Sequence, residues 1–210
     1  MTITLWLIII NFAVFFAQLL FSGIDFISSS YGEIVTDILS LNIQTLITRG
    51  YVWQIFTYMF VHSGFLHIFF NMFGLMIFGP KIELTMGRSK FLRYYLICGV
   101  FSSLFYMMIT ILYSGITNTP MVGASGAIFG VLTAYGLMYP RDTVYVQFFF
   151  PMPAIVFVFF YGAMQLILGI VTLGAEGGIA YFGHIGGMIA GFILIKYFEY
   201  GRRRIRYFWE

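Results

Sequence analysis

Ser125 stands in Gly123-Ala124-Ser125-Gly126 within an otherwise apolar stretch, and His184 opens another such stretch in Gly183-His184-Ile185-Gly186-Gly187. A serine hydroxyl becomes a useful nucleophile only when a base removes its proton as it attacks, and an imidazole titrates near neutrality. Cys98, the single cysteine, lies in a different apolar run and is read as buried. A serine and a histidine that meet inside a bilayer would support nucleophilic hydrolysis of a membrane-embedded peptide bond. The chain's other histidines, His62 and His67, and Asn71 are the remaining polar candidates.

Composition shows what must position them. The chain has 210 residues, 60% hydrophobic and only 9% charged, against roughly a quarter charged in soluble domains. This predicts an all-α, multi-pass membrane protein with one domain over residues 1–210 and no sizeable soluble part. Apolar runs fall at about 3–22, 65–80, 91–113, 122–139, 148–173 and 182–200, and a span needs ~20 residues, so six transmembrane helices are expected. The first run lacks the basic flank of a signal peptide and is read as a retained helix. One cysteine excludes an intrachain disulfide. A net charge of +3 is too small to suggest nucleic acid.

Basic residues set the orientation. Lys81, Arg88, Lys90 and Arg93 follow the second run, Arg141 follows the fourth, and Lys196, Arg202, Arg203, Arg204 and Arg206 mark the C-terminal end. With six spans these share one side, read as cytoplasmic, as are both termini. The opposite side holds Arg49 against Asp25, Glu33, Asp37 and Glu176. The C-terminal arginines suit lipid headgroups rather than nucleic acid. The longest connection, residues 23–64, includes the aromatic stretch Tyr51 to Phe60. It is expected to lie partly in the outer leaflet as short interfacial helices.

Depth then decides whether the polar groups can meet. At a rise of about 1.5 Å per residue, His67, Ser125 and His184 lie roughly 21, 24 and 27 Å above the inner boundary marked by Lys81, Arg141 and Arg202. Three polar groups on three helices therefore share one level in the outer third. Asn71 follows His67 by four and projects from the same face, one turn deeper. A helix starting near Gly123 would be too short to cross the core. Its free N–H groups, at the positive end of the helix dipole, would face a carbonyl oxygen turning negative. The Ser125 N–H, the Asn71 amide and His67 are the expected oxyanion donors, with Gly123 in the same oxyanion or substrate-binding element. No acid lies deep enough to complete a triad, and Glu176 is placed in the outer loop. A Ser125–His184 dyad is expected, with the histidine oriented by packing and water. His62 is expected to top the pocket or face headgroups. Glycines 126, 130, 183, 187 and 191 predict a close contact between the fourth and sixth helices.

These residues resemble the rhomboid family of intramembrane serine proteases. The resemblance covers about Tyr51 to Tyr197 and is carried by four motifs: Gly123-Ala124-Ser125-Gly126, His62-x4-His67-x3-Asn71, Gly79-x3-Glu83-x3-Gly87-x3-Phe91 and Gly183-His184. It implies a six-helix bundle of the minimal prokaryotic form, with Ser125 as nucleophile, His184 as base, and an oxyanion hole from His67, Asn71 and the Ser125 amide. It implies single-pass transmembrane proteins as substrates, cut near the outer end of their membrane helix, no cofactor, and a location in a prokaryotic inner membrane among lipids. Two departures stand out. Trp53-Gln54 replaces the family's frequent Trp-Arg, in a loop that reads as structural. Phe129 replaces a tyrosine that stacks on the base, and keeps the ring without the hydroxyl.

Two other classes are weighed. A non-catalytic relative that binds or escorts transmembrane helices would lack Ser125 or His184, and both are present. A proton-coupled transporter relaying through His67 and His184 predicts intramembrane acids and paired broken helices, which the sequence does not contain.

Overall fold

A backbone crossing hydrocarbon must satisfy its own N–H and C=O groups, and the apolar runs do this as helices. The computed structural model describes residues 1–23, 31–146, 149–173 and 178–206, with side chains at 1–20, 35–146, 149–173 and 178–198. The helices are α1 (Ile3–Gly23), α2 (Tyr31–Leu39), α3 (Ile43–Arg49), α4 (Gln54–Thr57), α5 (Phe65–Met86), α6 (Arg88–Ser114), α7 (Ser125–Met138), α8 (Ala154–Val171) and α9 (Ala180–Arg206). A two-stranded hairpin, β1 (Thr143–Val146) and β2 (Phe150–Pro153), lies between α7 and α8.

Among the described residues five helices are long and apolar enough to cross a bilayer: α1, α5, α6, α8 and α9. The sixth expected span is α7, with 14 residues. It rises only about 21 Å against a core of ~30 Å. It is surrounded by longer helices, packing mainly on α9 and α6 and also on α5 and α8. The chain is thus a multi-pass membrane protein. Large apolar side chains left outside the bundle, such as Leu84, Leu112 and Phe159, face lipid rather than water.

Two boundaries differ from the sequence expectation. The second run continues through Pro80 to Met86; a proline removes one helical hydrogen bond, which neighbouring helices in a membrane can accommodate. The fifth run loses its first residues to the hairpin. Pro151 and Pro153 bias the residues before them, Phe150 and Met152, away from helical backbone, and both lie in β2. The helix therefore starts at Ala154, whose N–H donates to the Asp142 carbonyl at 2.8 Å.

The 31–64 connection forms short helices tied to the bundle, as expected of interfacial backbone. Gln54, fully buried, is the hub of this loop. Its Oε1 accepts from the Asn42 N–H at 3.2 Å and the Thr45 hydroxyl at 3.0 Å, and its Nε2 donates to the Asp37 carbonyl at 2.7 Å. An uncharged amide thus holds the loop at the position where the family often carries arginine. Glu83 closes the other end of the bundle by accepting from the Ile3 N–H, the Thr4 N–H and the Thr4 hydroxyl at 2.7–2.8 Å. The two backbone bonds satisfy the first two free donors of α1. Asp25, Glu33, Glu176, Arg202, Arg203, Arg204 and Arg206, used above in the charge argument, lie outside the residues with described side chains.

At the end of the bundle away from Ser125, Lys81 of α5 pairs with Asp142, whose Oδ2 also accepts from the Tyr135 hydroxyl at 2.8 Å. The Lys81 bond, with that of Tyr135, holds the Asp142 carboxyl below its usual range. A carboxylate depressed by folding contributes stability above its unfolded value, and that contribution is lost as pH falls through the lower folded value. Acidification from pH 7 to below about 4, the unfolded carboxylate range, is therefore expected to weaken this anchor. Asp142→Asn should lower the melting temperature at pH 7 and narrow the gap between neutral and acidic pH. A variant that loses as much on acidification as the parent would contradict the assignment.

Candidate active site

The loop before α7 is fixed before the helix begins. Met121 and Leu41 exchange backbone hydrogen bonds at 2.8 and 3.0 Å, and the Gly123 N–H donates to the Tyr58 carbonyl at 3.0 Å. Asn42 Nδ2 reaches the Asn118 side-chain oxygen at 2.6 Å. The partly embedded loop therefore acts as a clamp on the segment leading to Ser125. Gly123 turns the chain at φ +109, and an added Cβ there would sit 2.6 Å from His67 Nε2. Both facts favour glycine. Ile128 is the first residue of α7 to bond back, to Ala124 at 3.1 Å. The N–H groups of Ser125 and Gly126 therefore have no partner within the helix.

Ser125 Oγ lies 2.8 Å from His184 Nε2. The Phe129 ring stacks on the imidazole, with centroids 4.5 Å apart and planes 15° from parallel. The contact between α7 and α9 that brings the pair together is glycine against glycine: a Cβ at Gly187 would overlap the Gly126 carbonyl oxygen. On the far side of the ring, His184 Nδ1 lies 2.7 Å from Gln165 Oε1 on α8. The ring's orientation thus has a third partner that the expected packing and water do not include. The one signal for it in the sequence is a lone amide in the 18-residue apolar stretch of α8.

His67 takes up a complementary position. Its Nδ1 lies 3.4 Å from the Ser63 N–H and 2.9 Å from the Ser63 hydroxyl. A backbone N–H can only donate, so Nδ1 is the acceptor and the ring proton sits on Nε2, the atom that faces Gly123. A donor is thereby aimed beside the Ser125 turn. Asn71 Nδ2 donates one proton to the His67 carbonyl at 2.9 Å and has a second available. It would lie 3.8 Å from a Cβ on Gly123. The Gly123 N–H is already committed to Tyr58, so this residue contributes space rather than a donor.

His67, Ser125 and His184 line one cavity of about 480 Å³, together with Tyr106, Thr110 and Thr117. The shared depth expected from sequence is thus a shared cavity. His62 is not part of it and does not face headgroups. It is buried, its backbone N–H and carbonyl are both bonded by Gln18 of α1, and its ring meets that of His67 edge-on at 5.1 Å. Burial, with His67 beside it, pulls the His62 imidazole down to about 4, so it is neutral at pH 7. Cys98 is buried too, its Sγ packed where a Cβ on Gly130 would fall.

The family model described as Rhomboid domain matches residues 49–200. The chain belongs to the rhomboid family. It is 31% identical over 206 residues to Rhomboid protease AarA of Providencia stuartii, a match covering 91% of this chain and 70% of that protein. It is 32% identical over 151 residues to Rhomboid protease GluP of Bacillus subtilis, covering 70% of this chain and 26% of the other. RHOMBOID-like protein 1 of Arabidopsis thaliana is 30% identical over 156 residues, covering 74% and 36%. The chain thus spans only about a quarter to a third of the length of the last two. The matched rhomboid region contains all of α5 to α8 and hence His67, Asn71, Ser125 and Gln165, with His184 on the part of α9 that it also includes.

Proposed function

We propose that this rhomboid is an intramembrane serine endopeptidase that cuts single-pass transmembrane proteins near the outer end of their membrane helix. The reading is carried by one observation: Ser125 Oγ stands at hydrogen-bond distance, 2.8 Å, from His184 Nε2 on the wall of a cavity. The names of the relatives AarA and GluP as rhomboid proteases support it.

The chemistry runs as acyl transfer. The Ser125 oxygen attacks the scissile carbonyl carbon while its proton passes to His184 Nε2. The carbonyl oxygen, now negative, is held by the Ser125 N–H at the start of α7, by His67 Nε2–H and by the free Asn71 amide proton. The tetrahedral intermediate collapses, the C–N bond breaks, and His184 returns its proton to the leaving nitrogen. Water then repeats the cycle on the acyl-enzyme and frees the serine. In this reading residues 1–210 act as one six-helix unit. Lys81, Arg88, Lys90, Arg93 and Arg141 mark the cytoplasmic side of a prokaryotic inner membrane, both termini lie on that side, and the cavity faces the other.

Labelling by a serine-directed fluorophosphonate in membranes tests the assignment: the wild type is expected to label and Ser125→Ala is not. Equal labelling of both would remove Ser125 from the reaction. Asn71→Ala is expected to lower kcat by about 10²–10³-fold, the usual cost of one oxyanion donor, with KM little changed. A pure rise in KM would argue against that role.

A further inference from the structure

We propose that Gln165 is a positioning residue: its side-chain oxygen selects the His184 tautomer able to take the Ser125 proton. The proposal rests on the protease reading above and adds to it a third, uncharged partner on α8. The two ring nitrogens of a neutral histidine have opposite roles, one donating and the other accepting. If His184 Nε2 is to accept from Ser125, the proton must sit on Nδ1 and needs an acceptor. Gln165 Oε1, 2.7 Å away, is that acceptor. The opposite tautomer would donate from Nε2 to the serine oxygen and leave no base.

Three features make the contact a built one. Gln165 is 5% exposed, so water competes little for its oxygen. It is bracketed on one face of α8 by Gly162 and Gly169, whose added Cβ atoms would lie 2.8 Å from Met188 and 3.0 Å from Phe182. Those two side chains bracket His184 on α9 in turn, so the helices pack closely on both sides of the level where amide and imidazole meet. Phe129 covers the ring from the α7 side, so the plane is held by that stacking contact and by hydrogen bonds at both ring nitrogens.

An amide is also well suited to this depth. A buried carboxylate would stabilise the imidazolium more strongly, but taking it out of water carries a heavy desolvation penalty. A neutral oxygen orients the ring without that cost. During attack the Ser125 proton moves to Nε2, the ring becomes an imidazolium, and the Nδ1–H stays bonded to Gln165. The proton later leaves from Nε2 to the departing nitrogen, so Gln165 gains and loses nothing.

The test uses the full chain in detergent, with Gln165→Leu, Gln165→Glu and Ser125→Ala beside the wild type. Cleavage kinetics on a fluorescent transmembrane peptide give kcat and KM separately, and ¹⁵N NMR of histidine-labelled protein reads the His184 tautomer. Gln165→Leu is expected to lose at least about 10-fold in kcat, less than the ~10⁴-fold that a wrong tautomer causes in a full triad. KM should change little, and the Nδ1–H signature should be lost. Gln165→Glu, which keeps an oxygen at the same reach, should recover most of kcat. A wild-type kcat in Gln165→Leu, or a His184 tautomer indifferent to that substitution, overturns the proposal. Should Gln165→Leu fail to fold, the resting wild type decides: a proton on Nδ1 upholds the proposal and a proton on Nε2 overturns it. A wild type no more active than Ser125→Ala would instead sink the protease reading, and this proposal with it.

Discussion

Ser125→Ala and His184→Ala are each expected to reduce cleavage of a transmembrane substrate to background, a loss on the order of 10⁴–10⁶-fold. In the proposed reaction the two groups act as a unit. Without the hydroxyl there is no atom to acylate, and without the imidazole the hydroxyl keeps its proton. Their effects should therefore not add, and the double variant should be no slower than either single one. Both changes leave the glycine contact of α7 on α9 at Gly126 and Gly187 in place, although His184→Ala gives up the ring's stacking on Phe129. The variants should keep the parent's melting temperature within a few degrees, so that loss of activity with retained folding is the diagnostic pair. Near-parental cleavage by either variant would rule out this dyad.

Much of this site is legible in the chain because a bilayer makes polar residues conspicuous. Ser125, His67, Asn71 and His184 interrupt apolar runs, and a constant rise per residue turns their sequence positions into depths. The prediction of one level needs only that the helices stand side by side. The close glycine contact also follows from local pattern, and the stacking of Phe129 from the family resemblance. Direction around a helix is harder to read. Nothing in the order of residues says which way Gln165 faces on α8, since that depends on how α8 turns against α9. A lone amide could equally have paired with another helix. His62 departs from expectation for the same reason: its place just before the second apolar run is readable, but not that Gln18 of α1 bonds its backbone there.

The hairpin and the clamp mark a different limit. Residues 148–153 extend an apolar run and group with it by composition, although two prolines at alternate positions argue against helix from the start. Here a strong compositional signal masks a weaker conformational one. In the 31–64 segment the aromatic content locates the chain at the interface. The clamp itself consists of long-range backbone bonds, Leu41 to Met121 and Tyr58 to Gly123. Such pairs leave no trace in side-chain pattern, yet they fix where α7 starts and so where Ser125 stands.

Gly187→Leu is expected to abolish cleavage as completely as loss of the nucleophile, through distance alone. Even the Cβ of alanine at this position would overlap the Gly126 carbonyl oxygen and lie 2.8 Å from its carbon. These are backbone atoms of a helix and cannot swing aside as a side chain could, so α7 and α9 must move apart. The contact joins the residue after Ser125 to the residue three beyond His184, which makes the dyad the first thing to feel the separation. A displacement of about 1 Å at reacting groups can cost ~10²-fold, and overpacking a close contact typically costs about 1–3 kcal/mol in stability. Gly187→Ala should therefore lose at least about 10²-fold in kcat, and the leucine variant, which needs a wider gap, should fall to background. Gly74→Ala supplies the control: its Cβ would meet Ile128 Cγ2 at 3.5 Å, an ordinary contact, and should leave activity and melting temperature close to the parent's. If Gly187→Ala cleaved at the parental rate while Gly74→Ala did also, the close approach of α7 to α9 could not be what holds serine and histidine together.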